Sequence, residues 1–174
     1  KDPPMHKMTP IVLLLVLSIT SCASTGKQER TVSSTSLQLG RKSTYTLAAT
    51  ACIQNEIAEF QKIEGRFEKR QFNFLAYTVA DDSIIDIIIL NEMGMEIGAA
   101  TYDGSTVTSS GFFNTYGLPA EYLIADFQLV YYRPDCLENS FSGEAIRITE
   151  EDDEDGIARR NVHEEDELIS MIEY

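Results

Sequence analysis

Ile84-Ile-Asp-Ile-Ile-Ile-Leu90 is almost entirely β-branched, and Phe67-Glu-Lys-Arg-Gln-Phe-Asn-Phe-Leu-Ala-Tyr-Thr-Val-Ala80 precedes it across Asp81-Asp82-Ser83. Side chains two apart share one face of a strand, so Phe72, Phe74 and Ala76 form one stripe of a long strand. Only Asp86 interrupts the second run, which predicts a strand covered on both faces or nearly so. Asn91-Glu-Met-Gly-Met95 reads as a loop centred on glycine, Glu96 to Tyr102 as the returning strand, Asp103-Gly104 as a tight turn, and Ser105 to Ser110 as another strand. Strands joined by short turns make an antiparallel meander, not an alternating parallel sheet.

On either side the pattern changes. Thr44 to Gln61 mixes β-branched, aromatic and polar residues and is read as the start of the sheet, with Ala48 to Phe60 equally open to a helix. Leu118 to Tyr132 has a helical period, with Leu123, Phe127, Val130 and Tyr131 on one face. Pro119 suits the first turn, Glu121 suits the helix dipole, and Arg133-Pro134 marks the end. A second short helix is plausible from Pro134 to Phe141. Glu144 to Thr149, Ile157 to Val162 and Leu168 to Tyr174 read as closing strands between acidic loops. The expected fold is mainly β (α+β), a sheet of about six or more antiparallel strands with one helix inserted late. One helix cannot cover such a sheet when flat, so a strongly curved sheet wrapped around it is expected.

The amino-terminal region says where the protein belongs. Lys7 precedes an apolar run from Ile11 to Ile19, and Ile19-Thr20-Ser21 places small residues before Cys22. The run is shorter than the roughly 20 residues a membrane span needs, and it reads as a lipoprotein signal. Cleavage would leave Cys22 carrying a diacylglyceryl group and a further N-acyl chain of the palmitate kind. At about 0.8 kcal/mol per buried CH₂, several chains together hold where one would not. Ala23 follows Cys22, where an Asp would favour retention in the inner membrane, so the outer membrane is expected. Residues 1–21 are therefore assigned to a tag remnant (Lys1-Asp-Pro-Pro4) plus signal peptide, 22–43 to a lipidated flexible tether rich in Ser, Thr, Gly and Gln, and 44–174 to one folded domain.

The net charge of -14 argues against a nucleic-acid partner, which needs clustered Lys and Arg. Much of the charge sits in Glu150 to Asp155 and Glu164 to Glu167, expected to be solvated loops or tails. Asp152, Asp153 and Asp155 could be imagined around calcium, but the loop spacing of a calcium hand is missing and no metal or other cofactor is expected. Besides Cys22 there are Cys52 and Cys136, which are either a disulfide or two buried thiols. His6 lies in the signal region and His163 is expected at the surface, so neither suggests a nucleophile–base pair. No catalytic residue is assigned, and the protein is not expected to be an enzyme.

Three segments carry a resemblance: Leu90-Asn-Glu-Met-Gly-Met-Glu-Ile97, Thr101-Tyr-Asp-Gly104, and Leu118-Pro119 with Leu123-Ile-Ala-Asp-Phe-Gln-Leu-Val-Tyr-Tyr-Arg-Pro134. The chain resembles the bacterial lipoproteins of domain-of-unknown-function family 3261, themselves similar to the LolB receptor and the LolA carrier. The likeness runs from Phe67 to Phe141 and on towards Tyr174. Tyr132 and Arg133 stand where that family has Trp before the proline, and the acidic insert from Glu150 to Asp155 departs from its pattern. The resemblance implies an open antiparallel half-barrel with a helix plugging its concave face. It also implies an outer-membrane anchor facing the periplasm, and a lipid, lipoprotein or polyene-lipid ligand, with other envelope proteins as possible partners.

On that reading Phe72, Phe74, Ile85, Ile87, Ile89, Ile97 and Phe127 either line a lipid cavity or form a plain core. Met93 and Met95 flank Gly94 at a hairpin tip and are either a membrane contact or two exposed methionines. Asp126 and Gln128 belong to the resembling motif, and Asp126 is expected to make a buried or half-buried hydrogen bond to backbone. The alternative function is a structural or assembly lipoprotein that acts through protein contacts and has no small-molecule cavity.

Overall fold

The computed structural model describes residues 29–33, 36–67, 70–143, 146–152 and 158–173. Cys22, the signal segment, Asp153 and Asp155 lie outside the described residues, as do the side chains of Phe72 and Asp152. The described chain is mainly β. Twelve strands form three antiparallel sheets with three helices, and none of the sheets closes into a barrel.

The large sheet is built from β1 (Arg30–Val32), β4 (Ile57–Phe67), β5 (Arg70–Ala80), β6 (Ile85–Leu90), β7 (Glu96–Tyr102) and β8 (Val107–Gly111). From β4 to β8 each strand pairs with its sequence neighbour, and β1 completes the far edge in the order β1-β8-β7-β6-β5-β4. The turns are closed by aspartates. Oδ1 of Asp81 accepts from the Ser83 and Ile84 amides, and Oδ1 of Asp103 from those of Ser105 and Thr106.

Strict alternation decides which face of β6 is core. Ile85, Ile87 and Ile89 are buried while Asp86, Ile88 and Leu90 are half-buried, so one face of this strand is fully covered and the other partly. The even face is kept polar in part by a 2.8 Å hydrogen bond from Thr101 to Asp86.

The helices are α1 (Phe112–Tyr116), α2 (Ala120–Tyr131) and α3 (Pro134–Ser140). α2 packs on the inner face of β7 and β8, burying Ile124, Ala125, Phe127, Gln128 and Leu129. Leu123 and Val130 do not share that deep burial, because the sheet meets the helix one position round from the predicted stripe. The carboxyl end of α2 is held against β4: the Tyr131 hydroxyl donates to Glu59, and burial, with Glu59 beside it, pushes that phenol up to about 12.

Two smaller sheets complete the molecule. One is β2 (Ser36–Gln38), β3 (Thr44–Thr46) and β9 (Phe141–Ser142), and the other is β10 (Ile146–Asp152), β11 (Ala158–Glu164) and β12 (Glu167–Glu173). β1 and β2 fall in the segment assigned to a tether, so the folded part begins before Thr44. Val32 opposite Val107, and Leu37 opposite Tyr45, supply the apolar contacts that composition alone concealed. The late strands form a separate sheet rather than extending the meander. Phe67 belongs to β4, and β5 starts at Arg70. Ala48 to Phe60 is neither one helix nor one strand: a single 3-10 turn at Thr50–Cys52 precedes β4.

Candidate functional site

An opening lies at the β6–β7 end of the large sheet. There a cleft of ≈ 1180 Å³ is lined by Phe74 and Leu75 of β5, Leu90 of β6, Ile97 of β7, and Phe112, Thr115 and Tyr116 of α1. Lys62, Gln71, Asn73, Asn91, Glu92 and Gly94 supply its polar rim.

Glycine makes this wall possible. Gly98 and Gly111 are register partners, and a Cβ on Gly111 would collide with the Ile97 carbonyl. Gly111 also has φ +61, which L side chains rarely adopt, so the chain can turn directly from β8 into α1. That turn sets Phe112 edge-on to Phe74 with ring centroids 5.5 Å apart, and against Tyr116 at 4.9 Å. Beside the cleft, the Asn91 side-chain oxygen accepts from the Met93 and Met95 amides at 2.9 Å each. The tip therefore has a defined shape, and it holds Met93 77% and Met95 53% exposed.

Of the residues assigned to a lipid lining, Phe74 and the 39% exposed Ile97 reach this cleft. Ile85, Ile87, Ile89 and Phe127 do not. They are buried in the core, with the Phe127 ring 4.7 Å from that of Tyr131. Phe112 and Tyr116 carry no signal in the sequence, because α1 is too short to announce a helical period, and Leu75 and Leu90 alternate with the stripes of Phe72, Phe74 and Ala76 and of Ile85, Ile87 and Ile89.

The motif pair on α2 divides in the opposite way from expectation. Asp126 keeps an exposed surface and makes no hydrogen bond among the described residues, yet the protein atoms crowded around it push its carboxyl up to about 6. Gln128 is fully buried and takes the role instead. Its Oε1 accepts from the Tyr45 hydroxyl at 2.7 Å and the Ala48 amide at 2.9 Å, and its Nε2 donates to the Ala48 carbonyl at 3.0 Å. Burial, with Tyr132 nearby, holds the Tyr45 phenol well above its usual range, so it stays a donor.

Cys52 and Cys136 are bonded, joining the 3-10 turn to α3 with Cα atoms 5.9 Å apart. His163 is half-buried on β11 rather than a surface residue, and its Nδ1 has no hydrogen-bond partner among the described residues.

The acidic runs are likewise not simply solvated. The guanidinium of Arg160 is fully buried and pairs with Glu150. Oε2 of Glu164 accepts from the Arg41 amide and Oε1 from the Lys42 amide, each at 3.0 Å. Exposed ion pairs from Arg41 to Glu167 and Lys42 to Glu165 surround that contact. The Ser43 hydroxyl beside it and those two amides hold the Glu164 carboxyl below the usual range.

No group of three or more His, Cys, Asp or Glu side chains among the described residues is placed to hold a metal ion. No described helix is long and apolar enough to cross a membrane. What the cleft offers is apolar surface with a mixed polar rim, suited to burying part of an amphiphile.

Fold and cleft thus define a mainly antiparallel β-protein with an open apolar groove. The chain belongs to the family described as protein of unknown function (DUF3261), whose profile matches residues 58–174. A search of curated proteins finds no match, and a search of solved structures finds none either.

Proposed function

We propose that this is an outer-membrane lipoprotein, anchored through Cys22 and facing the periplasm, that binds or hands over a lipid or lipid-like molecule. The supporting observation is the cleft of ≈ 1180 Å³ walled by Phe74, Leu75, Leu90, Ile97, Phe112 and Tyr116 beside the exposed Met93 and Met95. Ligand pockets span roughly 300–1,000 Å³, so the groove has room for an acyl chain. The large sheet with α2 on its inner face is read as an open half-barrel of the LolA/LolB kind, the ligand entering at the α1 end rather than beneath α2. Met93 and Met95 are the proposed membrane contact. The protein works by burial and release, without catalysis.

A second reading has its own support. Ile85, Ile87, Ile89 and Phe127 fill the space under α2, which suits a structural or assembly lipoprotein acting through protein contacts.

Native mass spectrometry of protein purified from its host membrane separates the two. A co-purified lipid, lost when Phe112→Asp places a charge in the cleft, is the expected result. If neither co-purification nor re-exposure to extracted lipids after delipidation gives a bound species, the carrier reading fails.

A further inference from the structure

β4 is one edge of the six-stranded sheet, and its full length, Ile57–Phe67, pairs with β5 on one side. Among the described residues no backbone hydrogen bond leaves β4 from its other side. An unpaired row of N–H and C=O groups is a template for another strand, and proteins usually blunt it with proline, a bulge or charged side chains, which protect least where a second copy offers the opposite charge. β4 contains no proline, its register with β5 is unbroken, and its charges alternate: Glu59, Lys62, Glu64 and Arg66. This edge is therefore net neutral in a chain of net charge -14, whose other surfaces repel their own kind.

We propose that β4 pairs antiparallel with β4 of a second copy of this chain, centred on Ile63. That register puts Ile63 opposite itself, Lys62 opposite the second copy's Glu64, and Glu64 opposite its Lys62. Lys62 and Glu64 share a face and already form an ion pair within one chain, so the joint creates a ring of four alternating charges. A one-residue slip would lose this match, which makes the register specific. Phe60, 65% exposed with its ring 4.9 Å from that of Tyr77, stands on the same face and supplies apolar area beside the joint. The inference does not depend on what the cleft binds.

Sedimentation of the full chain carrying Cys22→Ser tests it. A concentration-dependent dimer is expected. Lys62→Glu alone and Glu64→Lys alone should each weaken it about tenfold, since two reciprocal pairs turn repulsive, and the double reversal should restore it. In the same background Ile63→Cys should oxidise to a covalent dimer while Ile57→Cys, far from the axis, should not. A chain that stays monomeric at all concentrations overturns the proposal. So does a dimer indifferent to Lys62→Glu, or one that Ile63→Cys fails to trap.

Discussion

Nη1 of Arg160 donates to the carbonyl oxygen of Leu129 at 2.6 Å, so a strand of the last sheet caps the end of α2. The same nitrogen reaches the Val130 carbonyl at 3.0 Å, and Nε and Nη2 hold Glu150. The last carbonyls of a helix lack partners and carry its negative end, so a cation here satisfies both.

Replacing Arg160 by Met should therefore cost about 2 kcal/mol, chiefly from the buried Leu129 carbonyl and the part-buried Val130 carbonyl losing their charged donor. Arg160→Lys should recover only part, because a single ammonium cannot reproduce the fork. Urea unfolding of the three proteins measures this, and a loss below about 1 kcal/mol for Arg160→Met would contradict the capping role.

Gln128 and Asp126 offer an internal contrast. Gln128→Leu strands the Tyr45 hydroxyl and both polar groups of Ala48, at about 2–4 kcal/mol. Asp126→Ala should lie within about 0.5 kcal/mol of the parent, as for other surface changes. Paired thermal melts decide it: equal losses at the two positions would mean that Asp126 is held in a way the structure does not show.

Acid should act through Glu164. Its folded carboxyl lies below the ordinary value of about 4.3, so its contribution is complete above that value and is lost as pH falls through the folded one. Glu164→Gln should lower stability near neutrality and flatten the acid limb of a stability-against-pH curve. An unchanged acid limb in the variant would show that other carboxylates carry it.

Alkali acts with the opposite sign. Tyr131 titrates at about 12 in the fold and near 10 unfolded, so its contribution is whole below about pH 10 and declines as pH rises towards 12. Tyr131→Phe should soften that decline while leaving the acid limb alone. Tyrosinate absorbance recorded against pH during unfolding provides the check.

The bond between Cys52 and Cys136 closes a loop across 84 positions. Chain-entropy arguments give about 4.6 kcal/mol for a loop of that size, with a range that extends to zero if the unfolded chain stays compact. Reducing the parent and substituting Cys52→Ala/Cys136→Ala should each lower the urea midpoint by a similar amount, and the variant should not respond to reductant. A parent insensitive to reductant would show the bridge to be dispensable or protected.

Much of the meander could be read along the chain, because hydrophobic alternation and turn chemistry are local. Asp81 and Asp103 announce their turns through their own side chains, and Ile85, Ile87 and Ile89 announce a buried face by their spacing. Val32 could not be recognised as a strand residue, since it gains its apolar neighbour Val107 from a segment far along the chain, and Leu37 meets Tyr45 only through a short hairpin that polar composition conceals. The cleft was half legible: Phe74 and Ile97 follow from strand alternation, whereas Phe112 and Tyr116 depend on where Gly111 lets the chain turn. Arg160 sat between acidic runs, and nothing but its alternation with Val162 hinted that it points inward.

By itself the sequence determined the antiparallel order from β5 to β8, the helix from Ala120 to Tyr131 and the acidic character, because these rest on neighbours within a few residues. Tertiary structure alone decided that the strands divide into three sheets, that Gln128 is the hydrogen-bonded member of its motif, and that Glu164 is an anchor instead of solvated charge. Those outcomes depend on which groups meet across long stretches of chain, and a buried amide or carboxylate is stable only where such a partner arrives.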